Sequence, residues 1–304
     1  MIYDVLIIGA GPAGMTASIY AKRANLNVAM FEKYVPGGQI VNTAEIENYP
    51  GFKKGPGYAL ATAMLEHTES LEIPLIFDEV TNIVDEGSIK KVITPIQTYE
   101  TKTVLVATGT VPRRLGVLNE DRFASNGISW CAICDGPIYK DQRVVVIGGG
   151  NSAVEEAIYL ATLATHVTVI QNLPNLTADK KAQDILRKAE NVDYRFSAKV
   201  LEFVEEDGKL KGVLIENNQG KEELIETDGV FEYIGLIPTT EMVKDLNITN
   251  QFGYLEVNEK METKVPGVFA AGDVIVKQIR QVVTATSDGA VAAQNILKYL
   301  ETWK

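Results

Sequence analysis

Two stretches of this chain repeat one pattern. Residues 4–14 read DVLIIGAGPAG and residues 143–153 read RVVVIGGGNSA. Each is a short β-branched run and then a glycine cluster. A small-residue segment with helical periodicity follows, Met15 to Ala24 in the first copy and Val154 to Ala164 in the second. Each copy ends in a second apolar run, Leu26 to Phe31 and His166 to Ile170. Strand, glycine turn, helix and strand is the context that makes a glycine fingerprint a phosphate-binding βαβ unit. Meeting it twice in 304 residues predicts an α/β chain with two Rossmann-like (three-layer ββα) dinucleotide-binding domains.

The first copy fits G-x-G-x-x-G through Gly9, Gly11 and Gly14, with Pro12 and Ala13 between them. Gly9 permits the tight turn, Gly11 lets the backbone approach a pyrophosphate, and Gly14 allows close helix–strand packing. The helix N-terminus then offers free N–H groups to the phosphates. Glu32 ends the second strand, where a carboxylate accepts ribose hydroxyls. The bland alternative is a glycine turn that only packs a helix.

The second copy has Gly148, Gly150, Asn151 and Ser152, with Ala153 in the third slot. Its ribose-reading position is Gln171, which brings neither a carboxylate for a ribose diol nor a cation for a 2′-phosphate. Asn172, Leu173, Pro174, Asn175 and Thr177 add no charge. This is a phosphate turn without an evident ribose reader, or a vestigial one kept as scaffold.

The remaining segments fit around the repeat. Residues 76–106 and 193–234 alternate apolar and polar positions between Gly, Asn and Asp, which predicts antiparallel meanders. Thr103 to Gly109 and Gly267 to Asp273 read as buried strands, and Val283 to Tyr299 as a helix. The simplest parse is discontinuous. Residues 1–113 and 244–304 make the first domain, and 114–243 make a second domain inserted in it.

Composition narrows the function. The formal charge of −11 argues against nucleic acid or an anionic membrane as the main partner. Apolar runs such as Val5 to Ile8 fall far short of the ~20 residues of a membrane helix. The N-terminal residues show no targeting pattern, so a cytoplasmic, reducing location is expected. The only two cysteines, Cys131 and Cys134, form a Cys-x-x-Cys, which in that compartment reads as redox or metal chemistry. A metal needs about four ligands, and His67 and His166 are isolated, so no metal site is expected. A buried structural thiol pair is the other alternative. Gly127 and Gly136 bracket the motif and suggest an exposed turn.

Several strings, in this order and spacing, resemble the low-molecular-weight bacterial thioredoxin reductases, flavoprotein disulfide reductases. They are GAGPAG (9–14), PGGQ (36–39), TAEIENYPGF (43–52), ATG (107–109), CAICDG (131–136), GGGNSAVEEA (148–157), FAAGDV (269–274) and RQVVTA (280–285). The resemblance implies FAD in the first domain, a redox disulfide in the second, a homodimer, and thioredoxin as the partner reduced. It places Gly9, Gly11, Pro12, Ala13 and Gly14 at the FAD pyrophosphate and Glu32 at the adenosine ribose. Gly38 and Gln39 would lie in the wrapping loop, Asn48 near the isoalloxazine, and Thr108 and Gly109 in the cofactor site. Gly272 and Asp273 would face the ribityl chain, and Arg280, Gln281 and Val282 the flavin ring. It implies that Cys134 takes electrons from the flavin and that Cys131 attacks thioredoxin. Asp135 would serve as general acid, since no His is adjacent in sequence.

One departure bears on the donor. The family's usual NADPH domain has His-Arg-Arg-x-x-x-Arg where this chain has Gln171, Asn172, Leu173 and Thr177. Arginine suits a 2′-phosphate because its donors are planar and bidentate. Their loss makes NADPH uncertain and favours a ferredoxin donor, as in the ferredoxin-dependent branch. The alternatives are NADPH or NADH at an unusual site, a small-molecule dithiol oxidase, and a non-catalytic flavin redox sensor.

Overall fold

The repeat folds twice into the same local structure. In this computed structural model, which describes residues 2–43 and 46–303, the first copy is strand Ile2–Ile8, helix Pro12–Arg23 and strand Val28–Glu32. The second is strand Arg143–Ile147, helix Asn151–Ala161 and strand His166–Gln171. Ala44 and Glu45, within the family-like string 43–52, lie outside the described residues. Both helices begin three residues before the periodicity placed them. Gly11 and Gly150 are extended N-cap residues (φ −83° and −81°), so the fingerprint itself supplies the first helical turn. Pro12 suits that turn because its fixed φ is helical and its missing N–H has no partner to lose there.

Two compact units are present. Residues 1–42, 46–111 and 237–304 form the first, and 112–236 belong to the second. The second unit thus ends several residues before the join expected at 243/244. Met242 and Val243 are buried in the first unit's core, beside Leu6, Val104 and Leu255, and pull that segment into the first unit.

The first unit is built on a seven-stranded sheet. Its order is Leu75–Phe77, Val28–Glu32, Ile2–Ile8, Thr98–Val106, Ile89–Ile93, Asn82–Glu86, with Val268–Ala270 also on Thr98–Val106. Strand Thr98–Val106 is antiparallel to Ile89–Ile93 through its first half and parallel to Val268–Ala270 through its second. Val5, Leu6 and Ile7 are fully buried because apolar layers cover both sheet faces. The helix Val282–Glu301 packs closely on Pro12–Arg23. A Cβ at Gly289 would sit 2.2 Å from the Ala13 carbonyl oxygen, so only glycine allows that approach.

The second unit has a five-stranded parallel sheet, ordered Val192–Phe196, His166–Gln171, Arg143–Ile147, Gly229–Glu232, Ile128–Ser129. A three-stranded antiparallel sheet, Lys199–Glu206, Lys209–Glu216 and Glu222–Glu226, lies beside it in sequence. The meanders expected over 76–106 and 193–234 are therefore shorter. Leu75–Phe77, Val192–Phe196 and Gly229–Glu232 join parallel pairings instead. Gly229–Glu232 is buried at every position, the mark of a strand covered on both faces, which alternation does not reveal. No helix among the described residues is long and apolar enough to cross a membrane.

Candidate active site

The first glycine turn is a cradle with one open side. Gly9 has φ +106°, and a Cβ there would sit 2.5 Å from the Ala107 carbonyl oxygen. Gly11 differs, since its nearest neighbour would be the Gly38 Cα at 4.0 Å. The turn's middle thus faces space rather than packing. Gly37 N–H donates to the Ala10 carbonyl at 2.8 Å and ties the Gly38 segment to the turn. Ala13 is buried against Gly272 and Gly289 and serves packing. The Glu32 carboxylate accepts from the amides of Ala10 at 3.1 Å and Tyr34 at 2.9 Å. Two amides orient it at the end of its strand, and its remaining lone pairs are free for hydroxyls.

Distant segments of the first unit are joined by side-chain contacts. Gln39 Nε2 donates to the Thr110 carbonyl at 3.2 Å, and Thr108 Oγ1 to the Thr239 carbonyl at 2.6 Å. Gly109, between those two residues, has φ +65°. Asn48 Nδ2 donates to Gln281 Oε1 at 3.2 Å, across 233 residues. Gln281 also caps the helix that Val282 opens, through a reciprocal capping box with Thr284. Gly272 N–H donates to Asp288, which also binds Lys277. Asp273 Oδ1 is buried with no hydrogen-bond partner, and Lys277 Nζ pairs with it at 4.0 Å. Desolvation raises its pKa, against the pull of Lys277 and Arg280. Arg280 lies over the Tyr254 ring at 4.6 Å, with its buried Nε unpartnered.

In the second unit Cys131 and Cys134 form a disulfide, with Cα atoms 5.3 Å apart. Both sulfurs are thereby withdrawn from metal ligation. The expected exposed turn is instead half-buried. Ala132 is fully buried, and a Cβ at Gly136 would meet Tyr159 and Leu160 at 3.2 Å, so Gly136 seats the motif on helix Asn151–Ala161. Ser129 joins the motif to its acid. Its Oγ donates to Asp135 Oδ2 at 2.6 Å and accepts from the Cys131 amide at 3.1 Å.

The second glycine turn is closely packed at Gly148 and Gly149 and open at Gly150, as the first is at Gly11. Gly148 has φ +131°, and its Cβ would meet the Tyr233 carbonyl oxygen at 2.4 Å. A Cβ at Gly149 would lie 2.3 Å from Gln171 Nε2, so the buried Gln171 amide occupies the space above that glycine. The Gly149 carbonyl accepts from the amides of Thr177 at 2.7 Å and Ala178 at 3.1 Å. Asn151 and Asp179 exchange bonds at 2.7 and 3.3 Å, which sets a carboxylate beside the first residue of the helix. Ser152 is exposed on that same first turn, and Gly150 faces Thr177 Oγ1 at 4.0 Å.

Ser129, Glu156 and Tyr233 belong to the surroundings of the cysteine segment and carry no motif of their own. Glu156 lies within the matched string GGGNSAVEEA, and its signal was an acid between apolar positions of a helix. Tyr233 follows Glu232, an acid at the end of an otherwise apolar strand.

The fold and this pairing of a glycine cradle with a redox disulfide define a dinucleotide-dependent disulfide oxidoreductase. The family model described as pyridine nucleotide-disulphide oxidoreductase matches residues 3–289. A thioredoxin reductase of Bacillus subtilis is 43 % identical over 301 residues, 99 % of this chain and 95 % of that protein. One from Listeria monocytogenes is 44 % identical over 304 residues, again 95 % of its length. The crystal structure of thioredoxin reductase from Streptococcus pyogenes superposes with a TM-score of 0.91 at 46 % identity, covering 99 % of both chains. The chain belongs to the pyridine nucleotide-disulphide oxidoreductase family, among its low-molecular-weight thioredoxin reductases. It is an oxidoreductase, and the family's cofactor is FAD. The comparisons lend no support to the ferredoxin-dependent branch.

The first unit's residues fit FAD. The open edge at Gly11 leaves room for a pyrophosphate, the Glu32 carboxylate keeps lone pairs at its strand end that a hydroxyl could use, and the buried Asp273 Oδ1, 4.0 Å from Lys277 Nζ, accepts no hydrogen bond within the chain.

Proposed function

We propose that the chain reduces the disulfide of thioredoxin through Cys131 and Cys134, with a reduced pyridine nucleotide as donor. The observation that carries this is the Cys131–Cys134 disulfide held beside the Ser129–Asp135 bond, in a chain whose other unit fits FAD. FAD, when bound, supplies the two-electron link between a hydride donor and the disulfide. Gly9 and Gly11 would hold its pyrophosphate, with Gly14 packing the helix against the turn, Glu32 would take its adenosine ribose and Asp273 its ribityl chain. Asn48, Arg280, Gln281 and Val282 would lie beside its ring.

On the dithiol, Cys131 Sγ attacks one sulfur of the thioredoxin disulfide and displaces the other as thiolate. Asp135 gives that thiolate a proton, and the Ser129 hydroxyl holds the carboxyl toward the motif. Cys134 Sγ then attacks Cys131, restores the disulfide and releases thioredoxin with both electrons.

The donor reading rests on the family description, the retained glycine turn, and the strand beneath it, buried from Val144 to Ile147. No cation stands at Gln171, Asn172, Leu173, Asn175 or Thr177 to read a 2′-phosphate. With no cation to favour the 2′-phosphate, the roughly 10- to 100-fold preference that a charge-assisted contact supplies is absent, and NADH and NADPH are accepted within about tenfold of one another. Anaerobic flavin bleaching with NADPH, NADH and reduced ferredoxin in turn tests this. Bleaching by both nucleotides supports it. Bleaching by ferredoxin alone, or a hundredfold preference for NADPH, overturns it. The resemblance also supports a cytoplasmic homodimer, and sedimentation at about twice 33.2 kDa is the expected result.

A further inference from the structure

The residue between the cysteines is anchored from behind. The Ala132 N–H donates to the Tyr233 hydroxyl at 2.6 Å. Tyr233 follows strand Gly229–Glu232, and its carbonyl lies against Gly148 of the second glycine turn. The Tyr233 ring is thus a strut between the glycine turn and the redox motif. Glu156 stands on the helix that this turn opens, near enough to act electrostatically on the Tyr233 phenol. Its Oε2 is buried with no hydrogen-bond partner.

We propose that Tyr233 and Glu156 are positioning residues that keep the Cys131–Cys134 dithiol strongly reducing, by denying its thiolate stabilisation. This rests on the reading of Cys131–Cys134 as the redox pair. Reduction breaks the S–S bond, adds two electrons, and leaves a thiol and a thiolate, or two thiols, according to pH. Any group that stabilises the thiolate favours the reduced form and weakens it as a reductant. The amide N–H of the residue that follows Cys131 is such a donor, and the Tyr233 hydroxyl engages it. A carboxylate nearby acts in the same direction by repulsion.

The Glu156 contribution depends on pH. Burial and the neighbouring Glu155 push its pKa up to about 7. Tyr233 itself is raised well above the usual phenol value by burial and by Glu156, with Asp135 adding to this, so it stays a neutral hydroxyl. Glu155 on the same helix, Asp135 on the cysteine segment and the Tyr233 phenol are the titratable groups facing this pair. Helix Lys180–Leu186 packs on the helix that carries Glu156 and brings Lys180, Lys181 and Asp184. Below pH 7 Glu156 is neutral and equivalent to glutamine. Above it the carboxylate opposes thiolate formation.

The test is the dithiol–disulfide equilibrium of the full-length protein in dithiothreitol redox buffers, read by thiol alkylation and mass. It requires neither thioredoxin nor a nucleotide. A failure here is therefore separate from a failure of the thioredoxin reading, which turnover assays decide. Y233F removes only the hydroxyl and frees the Ala132 amide. The equilibrium is expected to move about five- to tenfold toward the dithiol, the worth of one hydrogen bond. E156Q is expected to match the wild type at pH 6 and to move severalfold toward the dithiol at pH 8.5. An unchanged equilibrium in Y233F, a shift toward the disulfide, or an E156Q effect that is the same at both pH values overturns the proposal. Thermal melts run alongside separate these effects from misfolding, and the E156Q pH difference stands even where Y233F is destabilised.

Discussion

The two glycine turns share a backbone and differ in what occupies the space before them. At the first, nothing lies nearer to a Gly11 Cβ than the Gly38 Cα at 4.0 Å. The ribose reader Glu32 is held by two amides at the rim. At the second, the Gly150 Cβ position is equally open, with Thr177 Oγ1 at 4.0 Å, but the Gln171 side chain rests on Gly149, the Thr177 and Ala178 amides bind its carbonyl, and Asp179 sits by the helix start. A fingerprint therefore reports the capacity to turn and to face a phosphate. The identity of the ligand is decided by the residue at the end of the next strand and by the loop after it.

Matched substitutions break this comparison most severely. Gly11→Val puts a branched side chain into the open edge, and the protein is expected to purify without flavin, read by its visible absorbance. Gly150→Val at the equivalent place is expected to keep full flavin content while nucleotide-driven bleaching falls at least tenfold. Equal flavin loss in both would show that the turns are not distinct in function.

A smaller effect is expected at the ribose end. Gln171→Arg supplies a planar cation and is expected to raise the preference for NADPH over NADH by roughly 10- to 100-fold in the KM ratio, the range for a charge-assisted contact. An unchanged ratio would mean that the loop, rather than the residue type, sets selectivity.

The smallest effect concerns stability and sets the units apart by a buried acid. In the second unit Glu232 accepts from Trp130 Nε1 at 3.0 Å, and its Oε1 has no partner. Burial, with Glu120 nearby, pushes its pKa up to about 8 from 4.5. The folded state thus keeps a proton that the unfolded chain gives up above about pH 4.5. Stability falls between pH 4.5 and 8, by at most about 1.4 kcal/mol per pH unit, and levels off above that. E232Q is expected to raise the melting temperature by a few degrees at pH 8 and to leave it unchanged at pH 4.

Much of this arrangement was legible in the sequence because it depends on local pattern. Gly9, Gly11, Gly14 and Glu32 are spaced by one strand and one helix, and Cys131 and Cys134 by one turn. The helix starts were misplaced because a glycine cluster reads as a loop, although its last residues are already helical. Strand Gly229–Glu232 was read as part of a meander because its parallel partner, Arg143–Ile147, lies far back in the chain. Tyr233 and Glu156 were missed for the same reason. Their meeting with the cysteines is made by the order of the parallel sheet, and no spacing along the chain records it.

The central claim is that electrons reach thioredoxin through Cys131 and Cys134. Its most direct test is Cys134→Ser, assayed anaerobically for flavin bleaching by NADPH or NADH and for reduction of thioredoxin. The account predicts that the flavin still bleaches while thioredoxin turnover falls by more than about a thousandfold, as for loss of a covalent catalytic group. Thioredoxin turnover retained within tenfold of the wild type would contradict it.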